Sequence, residues 1–103
     1  MRLFLDVHDK ENKTFPSELS RDEFEKFLGA FAKSCQDEGV VIVRSHVNLG
    51  LGRAFCLTMA KDEESVRRAH DEVELGFDSM TEVETASPHD VFLEREKPKP
   101  ERN

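Results

Sequence analysis

Hydrophobic and polar positions alternate from the start of the chain. Leu3, Leu5 and Val7 interleave with Phe4, Asp6 and His8. This period of two predicts a strand over residues 1–8, with one apolar face and one mixed face. A polar loop holding Pro16 follows over residues 9–19. The period then changes. Phe24, Phe27, Leu28, Phe31 and Cys35 recur at helical spacing and make one apolar stripe. Ser20 and Glu23 match the S-x-x-E capping box, in which each side chain answers a backbone N–H at the helix start. Gly39 stands where a left-handed C-cap is expected.

Residues 40–48, VVIVRSHVN, are rich in β-branched side chains and bounded by turn residues, so they predict a strand. Residues 49–52 supply a turn, and residues 53–60, RAFCLTMA, return as the second strand of a hairpin. Asp62 then caps a second helix with the stripe Val66, Ala69, His70 and Val73, and Gly76 is expected to end it. Residues 79–85 form a short last strand. The order β-α-β-β-α-β, with right-handed crossovers, predicts an α+β, ferredoxin-like fold. Its antiparallel sheet runs in the order 4-1-3-2, with both helices on one face. This domain spans residues 1–86. Residues 87–103 carry a short apolar patch at Val91, Phe92 and Leu93, then the charged, proline-interrupted EREKPKPERN. They are expected to be a largely flexible extension.

One feature of the pattern does not fit an isolated domain. With helices on one face only, the other sheet face should be polar. The first strand and the hairpin are instead apolar on both sides. A second copy of the chain is the simplest cover, which predicts a homodimer of the α+β-barrel type.

Composition narrows the functional classes. The chain has 103 residues, enough for one domain with a modest core. Its formal net charge of -7 makes nucleic acid and anionic membranes poor partners. No apolar run reaches the roughly 18 residues needed to span a bilayer. Residues 1–8 read as a strand rather than a secretory signal, so the expected compartment is the cytoplasm. There Cys35 and Cys56 are expected as free thiols.

No GxGxxG, P-loop, HExxH or CxxC motif is present. The chemistry rests on isolated side chains. His70 sits on the apolar stripe of the second helix, so its imidazole should face the sheet. It is either a core histidine bonded to a backbone carbonyl or part of a site. The topology brings it to the end of the sheet where His8 closes the first strand. Asp6 shares the face of His8, and Cys56 lies on the neighbouring strand. Two imidazoles, a thiolate and a carboxylate are suitable ligands for nickel, zinc or copper. His46 is set by parity: an even hairpin turn places Ser45 opposite Cys56 and turns His46 to the other face, which an odd loop or a bulge would reverse. Cys35 reads as core, His89 as solvated, and Asp62, Glu63 and Glu64 as complements to a helix dipole.

The opening F-L-D-V-H, the strand A-F-C-L, and the segment V-R-R-A-H followed by a short E-V strand resemble a bacterial family. It comprises small ferredoxin-like domains of unknown function, with nickel-binding members. The resemblance covers roughly residues 1 to 85 and points to His8, Cys56 and His70. It also implies a homodimer. The chain departs from the pattern at Arg67, where a histidine is frequent, and at His46, where an aromatic residue is common. Three functions follow as expectations. The first is a non-catalytic cytosolic homodimer that binds a transition metal, nickel foremost. The second is an α+β-barrel enzyme of isomerase, cyclase or cofactor-free oxygenase type, with a His general base. The third is an interaction module without chemistry. A substrate-sized cleft lined by His8 and His70 would favour the second.

Overall fold

The computed structural model describes residues 1–88. The expectations for His89 and for almost all of the 87–103 extension lie outside the described residues. Strand β1 (Arg2–Asp9) is followed by a 3-10 turn at Lys10–Asn12, helix α1 (Arg21–Asp37), strands β2 (Val41–Asn48) and β3 (Arg53–Ala60), helix α2 (Glu63–Glu72) and strand β4 (Ser79–Val83). The sheet order is β2-β3-β1-β4, and every pairing is antiparallel. This is the ferredoxin-like α+β architecture that the periodicity predicts.

The mixed face of β1 is the one the helices cover. Phe4, Asp6 and His8 are buried, while Leu3, Leu5 and Val7 are half-buried on the open face. On β3, Ala54, Cys56, Thr58 and Ala60 are buried beneath the helices, and Phe55 faces outward at 42% exposure. The core joins Phe4, Cys56 and Ala60 of the sheet to Phe31 and Cys35 of α1 and to Val66 and Ala69 of α2. Two polar side chains on the covered face of β1 are tolerated because partners from α2 and from two loops meet them there.

Helix α1 starts as expected. The Ser20 side chain accepts from the Glu23 N–H, and the Glu23 carboxylate accepts from the Ser20 N–H. It ends in a Schellman motif: Val40 N–H donates to the Cys35 carbonyl at 2.8 Å, and Gly39 takes the left-handed position at φ +72°. Helix α2 ends the same way but earlier than expected. Leu75 N–H donates to the His70 carbonyl at 2.9 Å, and Glu74, not Gly76, holds the left-handed position at φ +55°. Gly76 lies two residues further on.

The hairpin register matches the even-turn expectation, with Ser45 opposite Cys56 and His46 opposite Phe55. A register shift does occur, between Ile42 and Arg44. It lies beyond His46 from the turn, so it leaves His46 on the open face and makes Val43 the extra residue.

Candidate metal centre

Three polar side chains converge beneath α2, at the end of β1. Asp6 and His8 are two residues apart on β1, so strand alternation turns both towards the helices. His70 reaches them from the last turn of α2, on the same stripe as Val66 and Ala69. Asp6 is 0% exposed, His8 3% and His70 1%. The imidazoles stand nearly parallel, with centroids 5.6 Å apart. Phe31 and Phe77 meet the His70 ring edge-on at 4.8 and 5.3 Å and keep its flanks dry.

The hydrogen bonds fix how each ring is used. His70 Nδ1 lies 2.8 Å from the Val66 carbonyl oxygen. His8 Nδ1 lies 2.7 Å from the Gly76 carbonyl oxygen and 3.1 Å from that of Thr14. A carbonyl only accepts, so each Nδ1 carries its hydrogen and donates. Both Nε2 atoms therefore turn to one point, Oδ2 of Asp6. His70 Nε2 is 2.9 Å from it, and His8 Nε2 is also in direct contact. With Nδ1 already protonated, a neutral ring would set its Nε2 lone pair against a carboxylate oxygen. The contact is favourable when Nε2 carries a proton, making the ring a cation, or when another cation joins the two.

The titration of the group follows. Burial pushes the Asp6 carboxyl upward, but hydrogen bonds from His70 and His8 outweigh it and hold the group below the usual carboxylate range. Burial pushes His8 down, but its hydrogen bond to Asp6, the charge of Asp6 and the two carbonyl contacts raise it above the ordinary imidazole value. Asp6 Oδ1 is the one buried polar side-chain atom without a hydrogen-bond partner among the described residues.

This donor set fits a transition metal. The ligand atoms of Asp6, His8 and His70 lie within 4.8 Å of one another. Two donors on one such ion stand about 3 Å apart, given metal–ligand bonds of about 2.1 Å, which is the Asp6–His70 spacing. Imidazole nitrogens suit nickel, copper and zinc. The carbonyls behind each Nδ1 are the outer partners that orient metal-binding histidines. The orphaned Oδ1 adds a further free acceptor.

Cys56 lies directly opposite Asp6 across the β1–β3 pair, on the same sheet face. Its thiol is not among the three converging donors. It lies 3.3 Å from the Ser45 hydroxyl, which donates to it. Burial, helped by the charge of Asp6, pushes the thiol up to about 12 against a smaller opposing effect of Ser45. Cys35 is also pushed to about 12, chiefly by burial, and both cysteines are free. His46 stays outside the site, on the opposite sheet face. A cavity beside His8 and Cys56, walled by Phe24, Phe27 and Phe31, measures about 30 Å³. That is far below the roughly 300–1,000 Å³ of small-molecule sites.

Three contributors carried no signal in the sequence. Thr14 and Gly76 act through backbone carbonyls, which any residue type supplies. Phe77, edge-on to His70, follows α2 outside any periodic stripe. Among the described residues, no helix is long and apolar enough to cross a membrane.

The comparisons with known proteins bear on the fold and the family. A crystal structure of SCO4226 from Streptomyces coelicolor A3(2) superposes with a TM-score of 0.69 at 22% sequence identity, covering 82% of this chain and 99% of that one. At this identity the likeness speaks to the fold. No curated protein matches the chain. The family model described as "Nickel responsive protein SCO4226-like" matches residues 4–83. Since that match takes in both strands and the helix that carry Asp6, His8, Cys56 and His70, the chain belongs to the SCO4226-like family of nickel responsive proteins.

Proposed function

We propose that the protein binds a divalent transition metal, nickel foremost, at Asp6, His8 and His70, and that its role is binding rather than catalysis. The observation that carries this reading is the fixed Nδ1–H of both imidazoles, which aims both Nε2 atoms at one carboxylate oxygen. A metal ion replaces the protons there and draws on the same three donors. The family description supports nickel over zinc or copper. Cys56 joins as a fourth ligand on our reading, because a metal ion lowers a thiol that burial has raised. The small cavity beside His8 supports binding over general-base catalysis, since it is far below the volume of small-molecule sites.

The acting unit we propose is a cytoplasmic homodimer, paired through the open sheet face. We take residues 1–86 as the binding domain and residues 87–103 as an extension of it. The test is calorimetric titration of Ni²⁺ and Zn²⁺ into the untagged protein and into His8→Ala, His70→Ala and Cys56→Ser, with folding of each verified by circular dichroism. The two histidine changes should each abolish high-affinity binding. Loss of a nickel–thiolate absorption in Cys56→Ser would assign the fourth ligand. Equal affinity in the wild type and both histidine variants would overturn the site.

A further inference from the structure

The three donors of the proposed metal site are sealed from solvent. Asp6, His8 and His70 are at most 3% exposed. An ion therefore reaches them only when part of the surrounding structure moves. The walls differ in how firmly they are built. Beneath the donors lie β1 and β3, paired along their whole length. Towards α1 stand Phe24, Phe27 and Phe31, rings carried on a helix of 17 residues with a complete capping box. A divalent cation passing there would lose its water among three rings, at a high cost in free energy.

The wall beside His70 is of another kind. Residues 75–78 link α2 to β4 and belong to neither helix nor strand. This strap is tied at its two ends. Leu75 N–H donates to the His70 carbonyl at 2.9 Å, and Asp78 N–H donates to the Val7 carbonyl at 2.7 Å. The two residues between these ties touch one histidine each. The Gly76 carbonyl accepts from His8 Nδ1 at 2.7 Å, and the Phe77 ring meets the His70 ring edge-on at 5.3 Å. Phe77 is half-buried, and Arg67 over its ring is exposed. The Arg67 guanidinium lies 5.1 Å from the centre of the Phe77 ring and is paired with Glu63 at 2.6 Å. Arg67, Phe77 and His70 thus lead in turn from solvent to a ligand, with a single ring in the way. Residues 71–78 carry four carboxylates and no basic residue, a balance that draws a divalent cation to this side of the fold.

We propose that residues 75–78 are the gate of the metal site: Phe77 swings outward to admit or release a divalent transition metal, and Arg67 latches it shut. This rests on the metal-binding reading above. Because Gly76 and Phe77 are consecutive, one movement uncovers His70 and releases the hydrogen bond that orients His8. Phe77 and Arg67 supply no ligand atom. They set how fast the metal exchanges and not how tightly it is held, and that separation distinguishes a gate from a packing partner of His70.

The test is stopped-flow uptake of Ni²⁺ by the untagged full chain, and its removal by excess EDTA. Folding of each variant is verified by circular dichroism. Phe77→Ala should raise the association and dissociation rate constants about tenfold each, which corresponds to about 1.4 kcal/mol, the combined scale of the ring pair and the cation–π contact. Arg67→Met should raise both about threefold, the scale of an exposed cation–π contact. Neither change should alter the dissociation constant. Loss of a positive charge alone would speed uptake and slow release, so a rise in both rates is the sign of gating. Phe27→Ala, on the α1 side, should leave both rates unchanged. Faster exchange in Phe27→Ala with none in Phe77→Ala places the route past α1 and overturns the proposal. Weaker binding in Phe77→Ala through faster release alone makes Phe77 a support of His70 and also overturns it. Arg67→Met, an exposed substitution, keeps the test decisive if Phe77→Ala does not fold. A wild type that takes up no Ni²⁺ overturns the metal site and this proposal together. A wild type that binds Ni²⁺ while both variants exchange it at the same rates overturns the gate alone.

Discussion

Asp6 is the residue on which the site turns, because one of its oxygens serves two imidazoles while the other serves none. Removing it leaves two buried rings whose Nε2 atoms face no acceptor. For metal-free protein at mildly acidic pH, Asp6→Ala should cost about 3 kcal/mol of stability, the scale for breaking a buried charged pair. Urea denaturation measures it. The pH dependence follows from the direction of each shift. His8 is raised in the folded state, so its contribution is complete below the unfolded imidazole value of about 6.5 and is lost as pH rises through the raised folded value. Asp6 is lowered, so its contribution is complete above about 3.9 and is lost as pH falls through the lowered folded value. Metal-free protein should therefore be most stable between about pH 4 and pH 6.5, with a lower urea midpoint near pH 9. The nickel-loaded protein should show the opposite slope on the alkaline side, because metal and protons compete for the same Nε2 atoms. A flat profile for the metal-free form would mean that the His8 ring stays neutral beside Asp6.

At the scale of elements, what was legible in the sequence divides by physical cause. Periodicity exposed β1, α1 and α2, because each buries one face and the partition of apolar residues records it, and β-branched composition between turns exposed β2. The capping box of α1 was legible because its chemistry is local, three residues apart. The end of α2 was not. Gly76 looked like the cap, but the Schellman hydrogen bonds of Leu75 and Glu74 close the helix sooner and hold Glu74 left-handed. Nothing in the local residue types announces a conformation that disfavours the residue adopting it. The site divides in the same way. Asp6 and His8 share a face by parity, and the stripe of α2 turned His70 towards them. Cys56 is expected on the strand beside β1, and the register sets it opposite Asp6, but whether its sulfur reaches the other donors depends on side-chain packing that parity does not encode. The two helix ends also give a direct contrast. A Cβ added at Gly39 would meet nothing within 4 Å, so Gly39→Ala should cost about 1 kcal/mol through backbone conformation alone. Thermal unfolding measures this, and an unchanged midpoint would show that α1 can close without a left-handed residue.

At the scale of the whole molecule, the sheet is covered on one side only. The open face carries Leu3, Leu5 and Val7 from β1, Phe55, Leu57 and Met59 from β3, and Val41 from β2, each placed there by strand register. Val41 is 47% exposed and Phe55 42%. A contiguous apolar surface of this kind on a small domain marks an interaction site. On the proposed pairing a second copy of the chain would cover it with the same surface, since a two-fold axis through the face makes the patch complementary to itself. The acidic balance of the chain does not oppose this pairing, because the centre of the face is apolar. Arg44 and His46 reach the same face from β2, at the edge of the sheet. Light scattering at micromolar concentration should return about twice the chain mass. Phe55→Glu places a charge on the central strand β3, away from the metal-binding face, so it should give a monomer that keeps its nickel affinity. If the variant stays dimeric, the copies pair through some other surface. A wild-type monomer would leave the apolar face of β1 and β3 open to a different partner.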